Sequence, residues 1–530
     1  MIDQPAPPDP DEPDQGTDPE GDAEAQVEAI LAAIGAEDAL KELDRRRADQ
    51  PDAERPAGGG DSGEGGRGPS QATKLVELAR RDFRTVLGSD GKTYAVLLAG
   101  PNLALSLRGE NGLRSRLAKL FFDETQTAPG ASALADALNV LEGQAVDAAP
   151  EPVALRVARH EGNLILDLGQ PDGRCVVISP GEWHVEPESP VLFRRTRLTA
   201  PLPVPSRTVG GLDRLRELLN VGEAGFRLLV AWLVATVFPD IPHPILALSG
   251  EQGTGKSAAG RALVSLLDPS PAPLRAAPKD MRAWTVQAAA SWTVMLDNVS
   301  SIPAWFSDTL CKAVTGDGMV ERALYTDDDV SVLSFQRVIG MTTIDAGAMR
   351  GDLAERLLLV ELEPIRPDQR RTDEQVKTAY ETGRPAILGA ILDLTAAVLA
   401  VLPDVQVDEL PRLADFAKIL AAIDQVNGWT TFNDFTILAG EITEAVIEAD
   451  PFADAVRTLI QTKRTWTGTA AALAELLTPH DPPKTWPRTP RAVAGHLRRV
   501  APALRKNGIA IDFLREANGN RQRLIRLAAQ

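Results

Sequence analysis

The chain of 530 residues has few of the side chains that build disulfide-rich or metal-based folds. It contains 2 cysteines, Cys175 and Cys311, and 5 histidines. Two isolated cysteines cannot form a disulfide framework, and so few sulfur and imidazole ligands give no visible metal cluster. No apolar h-region follows Met1, so a secretory signal is not predicted. We therefore expect a cytoplasmic protein in a reducing compartment.

Long hydrophobic runs are also scarce. The two longest are Leu228–Phe238, which is too short to span a bilayer, and Ala386–Leu402, which Asp393 interrupts. Both are predicted to be buried helices, and no membrane partner is expected.

The net charge of −18 is unevenly distributed along the chain. Residues 1–70 carry a net charge of −13, whereas residues 481–530 carry +8. This asymmetry predicts an acidic tail and a basic binding module. Residues 1–70 are rich in Pro, Asp, Glu and Gly and are predicted to be disordered. Within them Glu24–Arg47 has a helical apolar period, which fits either a docking helix or a transient solvated helix.

Four further regions follow this tail. Residues 71–205 are predicted to form an α+β accessory domain, with a helix over Ala131–Glu142 and a β meander over Val153–Phe193. They show no paired carboxylates with a downstream histidine for two-metal polymerisation, so no enzyme is predicted there. Residues 206–370 are predicted to form an α/β domain, and a linker, Pro201–Pro205, precedes it. Residues 371–450 form a helical segment, with helices over Thr372–Val401 and Leu410–Asp450, and residues 451–530 form a separate unit.

The strongest motif lies between a short apolar strand and a helix. The strand begins at Ile245, and Gly250-Glu251-Gln252-Gly253-Thr254-Gly255-Lys256-Ser257 follows it with the G-x-x-x-x-G-K-S spacing. Such a loop cradles phosphates with backbone N–H groups and a helix N-terminus. Lys256 would reach the β- and γ-phosphates, and Ser257 would bind Mg²⁺. The sequence therefore predicts a site for ATP and Mg²⁺, and residues 206–370 are predicted to be a P-loop ATPase domain of the AAA+ type.

A second apolar strand, beginning at Trp292, ends in Asp297-Asn298. Asp297 suits the carboxylate that supports Mg²⁺ in P-loop ATPases, and is assigned to the metal with Ser257. Asn298 occupies the position where many such ATPases carry a Glu that polarises the attacking water, and an amide cannot accept that proton. Either Asp297 performs both tasks, a base comes from elsewhere, or turnover is slow.

Three further segments follow in order. They are Lys312-Ala-Val-Thr-Gly, a strand that ends at Thr342-Thr343, and Asp352-Leu-Ala-Glu-Arg356. Over residues 245–365 the series resembles the superfamily 3 helicases of the AAA+ class, especially the poxvirus- and phage-type primase–helicases. It is also similar to phage and prophage ATPases of high-GC actinobacteria.

The resemblance implies a role for each segment. Lys312 and Arg322 would lie on or beside a hairpin that lines a DNA channel, unless this is a solvated loop. Thr342 would take the place of the family's sensor Asn, although a hydroxyl cannot copy both ends of an amide. Arg356 would be an arginine finger acting on the neighbouring subunit's nucleotide, or else an ion-pair partner of Asp352 or Glu355. The family also implies a ring, hexameric by analogy, and replication proteins as partners.

The C-terminal 80 residues have the element order of a winged helix. A helix over Thr469–Leu477 precedes a second helix, which starts at Thr489-Pro490, and two strand-like runs follow. Pro502 is expected to kink or end the second helix, which would place Arg505 in a following turn. The predicted DNA contacts are Arg488, Arg491, Arg498, Arg515, Arg521 and Arg523. The same face could instead be solvated or bind a protein.

The sequence thus predicts an ATP-dependent DNA helicase or translocase of a phage or mobile element. Two alternatives remain open. One is a nucleotide-switched DNA-binding initiator or loader that does not unwind DNA, which Asn298 and Thr342 favour. The other is an AAA+ remodeller of protein complexes.

Overall fold

The computed structural model describes residues 69–109, 112–316, 319–322, 330–333, 336–343, 351–515 and 523–530, with backbone alone at 319–322 and 330–333. The predicted acidic tail, including Glu24–Arg47, therefore lies outside the described residues, apart from its last two positions. Arg521 lies outside them as well.

The first described region joins three helices to a small antiparallel sheet, in the strand order β1-β2-β3. Ser70 caps the first helix, and its hydroxyl accepts a hydrogen bond from the N–H of Thr73 at 3.2 Å. The elements are α1 Gln71–Asp82, β1 Phe83–Leu87, β2 Thr93–Leu97, β3 Leu105–Ser106, α2 Leu113–Thr125 and α3 Ala131–Val146. The helix predicted over Ala131–Glu142 is confirmed, and it runs four residues further.

The predicted β meander is also confirmed. Four consecutive antiparallel strands pair in the order β5-β6-β7-β8, and a short parallel pair, β4 with β9, flanks them. The strands are β4 Val153–Ala154, β5 Val157–His160, β6 Asn163–Asp167, β7 Cys175–Ser179, β8 Glu182–Glu186 and β9 Leu192–Phe193. Gly162 and Gly181, in two of the connecting turns, have φ of 84° and 86°, which glycine adopts without strain.

The central region is a five-stranded parallel sheet with the strand order β11-β12-β15-β10-β16. Its three inner strands are buried throughout, as expected for a sheet covered on both faces. The elements are α4 Gly211–Arg216, α5 Glu223–Thr236, β10 Ile245–Ser249, α6 Lys256–Leu267, β11 Leu274–Arg275, α7 Met281–Ala290, β12 Thr293–Leu296, α8 Ala304–Thr315, β13 Met319–Arg322, β14 Val330–Leu333, β15 Val338–Thr342, α9 Gly351–Ala354 and β16 Leu357–Glu361. Strands β13 and β14 form a separate antiparallel pair.

Three arginines cap the C-terminal end of α7, directly before strand β12. Arg275, Arg337 and Arg194 donate to the carbonyls of residues 287, 288 and 289, at 3.1, 2.5 and 3.0 Å respectively. These carbonyls have no partner within the helix, and the helix dipole favours cations at this end. The arginines thereby fix the start of the strand that leads to Asp297.

A buried ion pair joins the β meander to the central sheet. Arg156, fully buried, donates from Nε to Oδ1 of Asp268 at 2.9 Å. Asp268 caps the end of α6, and its other oxygen accepts the N–H of Thr293 at 2.8 Å. The predicted linker Pro201–Pro205 has no regular secondary structure, but Leu202 within it is buried. The core is therefore continuous across residue 205, and the domain boundaries proposed from the sequence remain predictions.

The helical segment confirms the helix predicted over Thr372–Val401. Thr372 caps it, and a reciprocal bond with Gln375 completes a capping box. Its helices are α10 Asp373–Val401, α11 Ala414–Asn427 and α12 Thr431–Ala449, with short 3₁₀ turns at Pro367–Gln369 and Leu402–Asp404. Asp373–Asp404 is long and apolar enough to cross a membrane, but 61% of its apolar window is buried inside the protein, as in a core helix.

The C-terminal unit packs three helices against a three-stranded antiparallel sheet of order β17-β19-β18. Its elements are α13 Pro451–Lys463, β17 Thr465–Gly468, α14 Ala470–Leu477, α15 Pro490–Lys506, β18 Ile509–Arg515 and β19 Arg523–Ala529. The expectation that Arg505 lies in a turn after Pro502 is wrong. Helix α15 continues through Pro502, because Val500 and Leu504 on either side both remain packed in the core.

Candidate nucleotide site and basic C-terminal surface

The glycine-rich loop connects the end of β10 to the start of α6. Gly250, Gly253 and Gly255 have φ of 139°, 84° and 86°, a region that side chains with a Cβ rarely adopt. A Cβ added to Gly250 would also lie 2.7 Å from the carbonyl oxygen of Leu362. No side chain caps Gly255, so the first N–H groups of α6 have no partner from a capping residue. This backbone arrangement suits an anion.

Hydrogen bonds to carbonyl groups of the same loop hold two of its side chains in place. Lys256 donates from Nζ to the carbonyls of Gly250 and Glu251, each at 2.7 Å. Thr254 is buried and donates to the carbonyl of Glu251 at 3.0 Å, whereas Gln252 is exposed. The ammonium of Lys256 is therefore held at the mouth of the loop, where phosphate oxygens could replace its carbonyl partners.

The carboxylate of Asp297 receives two hydroxyl donors from other elements. Ser257, on α6, donates to Oδ1 of Asp297 at 2.8 Å, and Thr342, at the end of β15, donates to the same oxygen at 2.6 Å. Strands β12 and β15 are parallel neighbours, so their carboxyl ends lie at one edge of the sheet. Of the five residues predicted to be catalytic, the structure thus brings all but Arg356 to one edge, together with Ser257.

Asn298 lies at the same edge in an unusual backbone conformation. Its φ is 54°, in the left-handed region that Asn tolerates better than most residues, and its side chain is exposed. Its N–H donates to the hydroxyl of Thr342 at 2.8 Å. Thr342 is thus both a donor to Asp297 and an acceptor from the next residue.

The donor set fits a magnesium nucleotide. A hydroxyl and a carboxylate 2.8 Å apart, beside a phosphate-binding loop, are the oxygen ligands that Mg²⁺ takes when phosphates and waters complete its shell. Among the described residues there is no group of three or more His, Cys, Asp or Glu side chains that could hold a metal unaided. Ser257 and Asp297 would therefore hold the ion only jointly with a bound nucleotide.

Arg356 does not join this cluster within one chain. Its carbonyl accepts the N–H of Ile245, the first residue of β10, whereas the glycine-rich loop follows the last residue of that strand. A strand of this length separates the two edges by roughly 13 Å. Arg356 is buried, and its Nη1 lies 3.0 Å from Oδ1 of Asp352, the ion pair that the sequence offered as the alternative to a finger.

Of the two predicted channel residues, Lys312 lies exposed in the last turn of α8. Arg322 ends strand β13, and its side chain lies outside the described residues. The β13–β14 pair therefore occurs where a hairpin was predicted.

The sequence reasoning missed Arg370. Its Nη2 lies 4.0 Å from the position that a Cβ on Gly253 would take, so its guanidinium stands beside the glycine-rich loop of its own chain. Three arginines, at positions 366, 370 and 371, follow the last strand of the sheet. That cluster was the available signal, since arginine commonly recognises phosphate.

The predicted DNA contacts of the C-terminal unit that the structure describes are all exposed to solvent. The exposed arginines are Arg488, Arg491, Arg498, Arg515 and Arg523. Helix α15 buries the opposite stripe, Val493, Leu497, Val500 and Leu504, against the sheet. The guanidinium of Arg498 lies 4.6 Å from the ring centroid of Phe513, itself 37% exposed, so a cation and an aromatic face are presented together.

Two family models match the chain. The model of the actinomycete integrative conjugative element replication protein matches residues 212–443, and that of the C-terminal domain of the element's RepA matches residues 452–530. The comparison with curated proteins finds no match.

Similar solved structures include the C-terminal region of NrS-1 and the JCV helicase. The apo structure of NrS-1 residues 305–718 covers 87% of this chain and 100% of its own, at 12% identity and a TM-score of 0.35. An A-form structure of the same region covers 86% and 98%, at 11% identity and a TM-score of 0.36. An inhibitor-bound JCV helicase covers 44% of this chain and 72% of its own, at 12% identity and a TM-score of 0.20.

The glycine-rich loop, Asp297 and Arg356 all fall within the first matched segment, and the exposed arginines of the last unit fall within the second. Over residues 212–443 and 452–530 the chain is therefore similar to the replication protein of actinomycete integrative conjugative elements.

Proposed function

We propose that the chain is an ATPase that couples ATP hydrolysis to movement on DNA during replication of a mobile element. The observation that carries this proposal is the convergence of Ser257 and Thr342 on one oxygen of Asp297 beside the glycine-rich loop. The α/β core with this loop would be the motor, and the C-terminal unit a winged helix that contacts DNA. The family matches support a replication role.

Each residue of the site has a task in this proposal. The N–H groups at the start of α6 and Lys256 would bind the β- and γ-phosphates. Ser257 and Asp297 would hold Mg²⁺, which supplies charge neutralisation at the phosphates when bound. Asp297 would also have to accept the proton of the attacking water, because Asn298 cannot take it. Thr342 would orient that carboxylate.

Turnover would require an oligomer. Arg356 lies at the opposite edge of its own sheet, so it could stabilise charge on a γ-phosphate only at a neighbouring subunit. To do so, its guanidinium would have to leave its ion pair with Asp352 and contact the nucleotide bound to the neighbouring subunit. A ring, hexameric by analogy with superfamily 3 helicases, would give every subunit such a neighbour.

The deciding experiment is steady-state ATPase activity with and without single-stranded DNA, at modest salt. Lys256→Ala should abolish nucleotide binding, and Arg356→Ala should spare binding but remove turnover. DNA-stimulated turnover that disappears in Lys256→Ala supports the motor. Hydrolysis retained in Arg356→Ala would exclude the finger role.

A nucleotide switch that binds ATP without hydrolysing it is the second candidate. The exposed side chain of Asn298 favours it, because the residue after Asp297 offers no base. Tight, magnesium-dependent ATP binding with no turnover, with or without DNA, would establish the switch. The third candidate, a remodeller of protein complexes, predicts that DNA binding is weak and insensitive to the arginines of the C-terminal unit.

A further inference from the structure

Five charged side chains form a continuous network between the C-terminal unit and Arg356. Lys506, in the last turn of α15, lies 3.0 Å from Oε1 of Glu355, and Arg412 lies 2.6 Å from the other oxygen of that carboxylate. The same Nη1 of Arg412 lies 2.7 Å from Oδ1 of Asp352, which is also 3.0 Å from Nη1 of Arg356. Helix α9 with the two residues that follow it, the segment before α11 and the C-terminal unit each contribute to the network.

The network combines two largely buried members with three exposed ones. The side chains of Arg356 and Glu355 are 11% and 16% exposed, whereas those of Asp352, Arg412 and Lys506 are 59%, 40% and 51% exposed. Burial raises the pKa of Asp352 and Glu355, but the neighbouring cations outweigh it and hold both values below the ordinary range. Both acids are thus charged near neutral pH, and the network is a set of true ion pairs.

Arg412 and Arg356 share one carboxylate, that of Asp352. Both guanidinium groups bind Oδ1 of Asp352. Each of these ion pairs therefore weakens the other, because the two cations compete for the same oxygen. If Arg412 were absent, Asp352 would pair with Arg356 alone and retain it more firmly. Lys506 acts one step further away, since it fixes Glu355, the residue that precedes Arg356 in the chain.

We propose that Arg412 and Lys506 are positioning residues for Arg356, through which the C-terminal unit controls the arginine supplied to the neighbouring subunit. This rests on the proposed function, in which Arg356 acts in trans. The partner of the network is therefore the nucleotide-bearing face of a second copy of this chain. Neither Arg412 nor Lys506 contacts the nucleotide itself.

The test measures kcat and KM for ATP in full-length variants whose folding is checked by circular dichroism. Arg412→Ala should lower kcat about tenfold and Lys506→Ala about threefold, with the KM for ATP unchanged, as expected for coupling through a network. Arg412→Lys and Lys506→Arg should recover most of the loss, since they keep the charge.

The matched control is Arg457→Ala. Arg457 joins α13 to two glutamates of α12 and is 17% exposed, so its loss also breaks an ion-pair network of the C-terminal unit, but one without Arg356. It should leave kcat near that of the unmodified protein. Equal losses in Arg457→Ala and Arg412→Ala would overturn the proposal, because they would show a general structural effect.

A double-mutant cycle separates this proposal from the finger assignment. If Arg412 acts through Arg356, the residual hydrolysis rate, measured in single turnover with excess enzyme, should be the same in Arg356→Ala/Arg412→Ala as in Arg356→Ala, whereas losses that multiply would overturn the positioning role. A normal kcat in Arg356→Ala would instead exclude the finger itself. A second assay needs no turnover: analytical ultracentrifugation measures the protein concentration at which the oligomer assembles in the presence of ATP. Arg412→Ala should raise that concentration, and an unchanged assembly concentration would contradict the proposal.

Discussion

Thr342 donates a 2.6 Å hydrogen bond to Oδ1 of Asp297, across two neighbouring parallel strands. Its hydroxyl also accepts the N–H of Asn298 at 2.8 Å, so one side chain fixes both the carboxylate and the turn that follows it. The resemblance to superfamily 3 helicases implied that Thr342 takes the place of a sensor Asn, which a hydroxyl can only partly replace. The two hydrogen bonds support a different task, which we propose for it, namely that of orienting the carboxylate.

Thr342→Val should therefore impair turnover more than nucleotide binding. Valine has nearly the same shape but makes neither hydrogen bond, and loss of a partner that orients a metal-binding carboxylate typically lowers activity about 10- to 100-fold. Thr342→Ser keeps the hydroxyl and is the matched control, expected to stay close to the unmodified rate. Measurement of kcat together with ATP affinity checks the assignment, and equal rates in the two variants would remove Thr342 from the mechanism.

Arg156→Met should destabilise the junction between the β meander and the central sheet. It leaves Asp268 buried without its cation, which typically costs about 3–5 kcal/mol in the free energy of unfolding. Arg159→Met is the control, because Arg159 pairs with Asp240 at the surface and an exposed pair contributes about 1 kcal/mol or less. Urea unfolding followed by circular dichroism compares them, and similar midpoints in both variants would contradict the role of the buried pair.

The environment of Asp450 indicates that the stability of the C-terminal unit decreases at acidic pH. Its carboxylate accepts from Nε2 of His496 at 2.6 Å and from the N–H groups of Phe452 and Ala453. Burial raises its pKa, but these hydrogen bonds outweigh it and place the pKa below the ordinary value of 3.8. A carboxyl group whose pKa is lower in the folded protein than in the unfolded chain stabilises the fold. This stabilisation is fully present above about pH 5 and is lost as the pH falls through the pKa of the folded state.

Asp450→Asn should consequently lower the stability of this unit by about 1.5 kcal/mol at pH 7, the typical value of a hydrogen bond to a charged group. The difference should shrink as the pH falls below about 4 and the unmodified carboxyl becomes protonated. Hydrogen exchange of the peptides covering α13 and α15, corrected for intrinsic rates, measures it. A difference that stays constant down to pH 3 would show that the charge of Asp450 contributes nothing.

Arg491→Ala should weaken DNA binding in a salt-dependent way. If Arg491 contacts a phosphate, its loss reduces the slope of log K against log salt by about 1. Lys463→Ala is the matched control, because Lys463 is exposed in the same unit, at the end of α13, and is not among the predicted contacts. Fluorescence anisotropy at four salt concentrations gives both slopes, and identical slopes would exclude Arg491 from the DNA surface.

The elements that sequence reasoning predicted correctly are those set by local chemistry. Helix α10 begins after Thr372 and α15 after Thr489, in each case because a hydroxyl caps the first turn. The meander follows from alternating side chains and glycine turns. Helix α15 passes Pro502 because apolar packing on both sides outweighs one missing hydrogen bond, a comparison that local sequence does not contain.

The sequence by itself determined the backbone of the loop from Gly250 to Ser257, since the positive φ angles of Gly250, Gly253 and Gly255 require glycine at that spacing. Only the tertiary structure decided that Thr342 and Ser257 share Asp297, and that Arg356 lies at the far edge of the same sheet. It also decided that Arg370 stands beside Gly253 and that Lys506 reaches Glu355. These relationships depend on strand order and helix packing over tens to hundreds of residues, and such distances are fixed by the whole fold rather than by any local pattern.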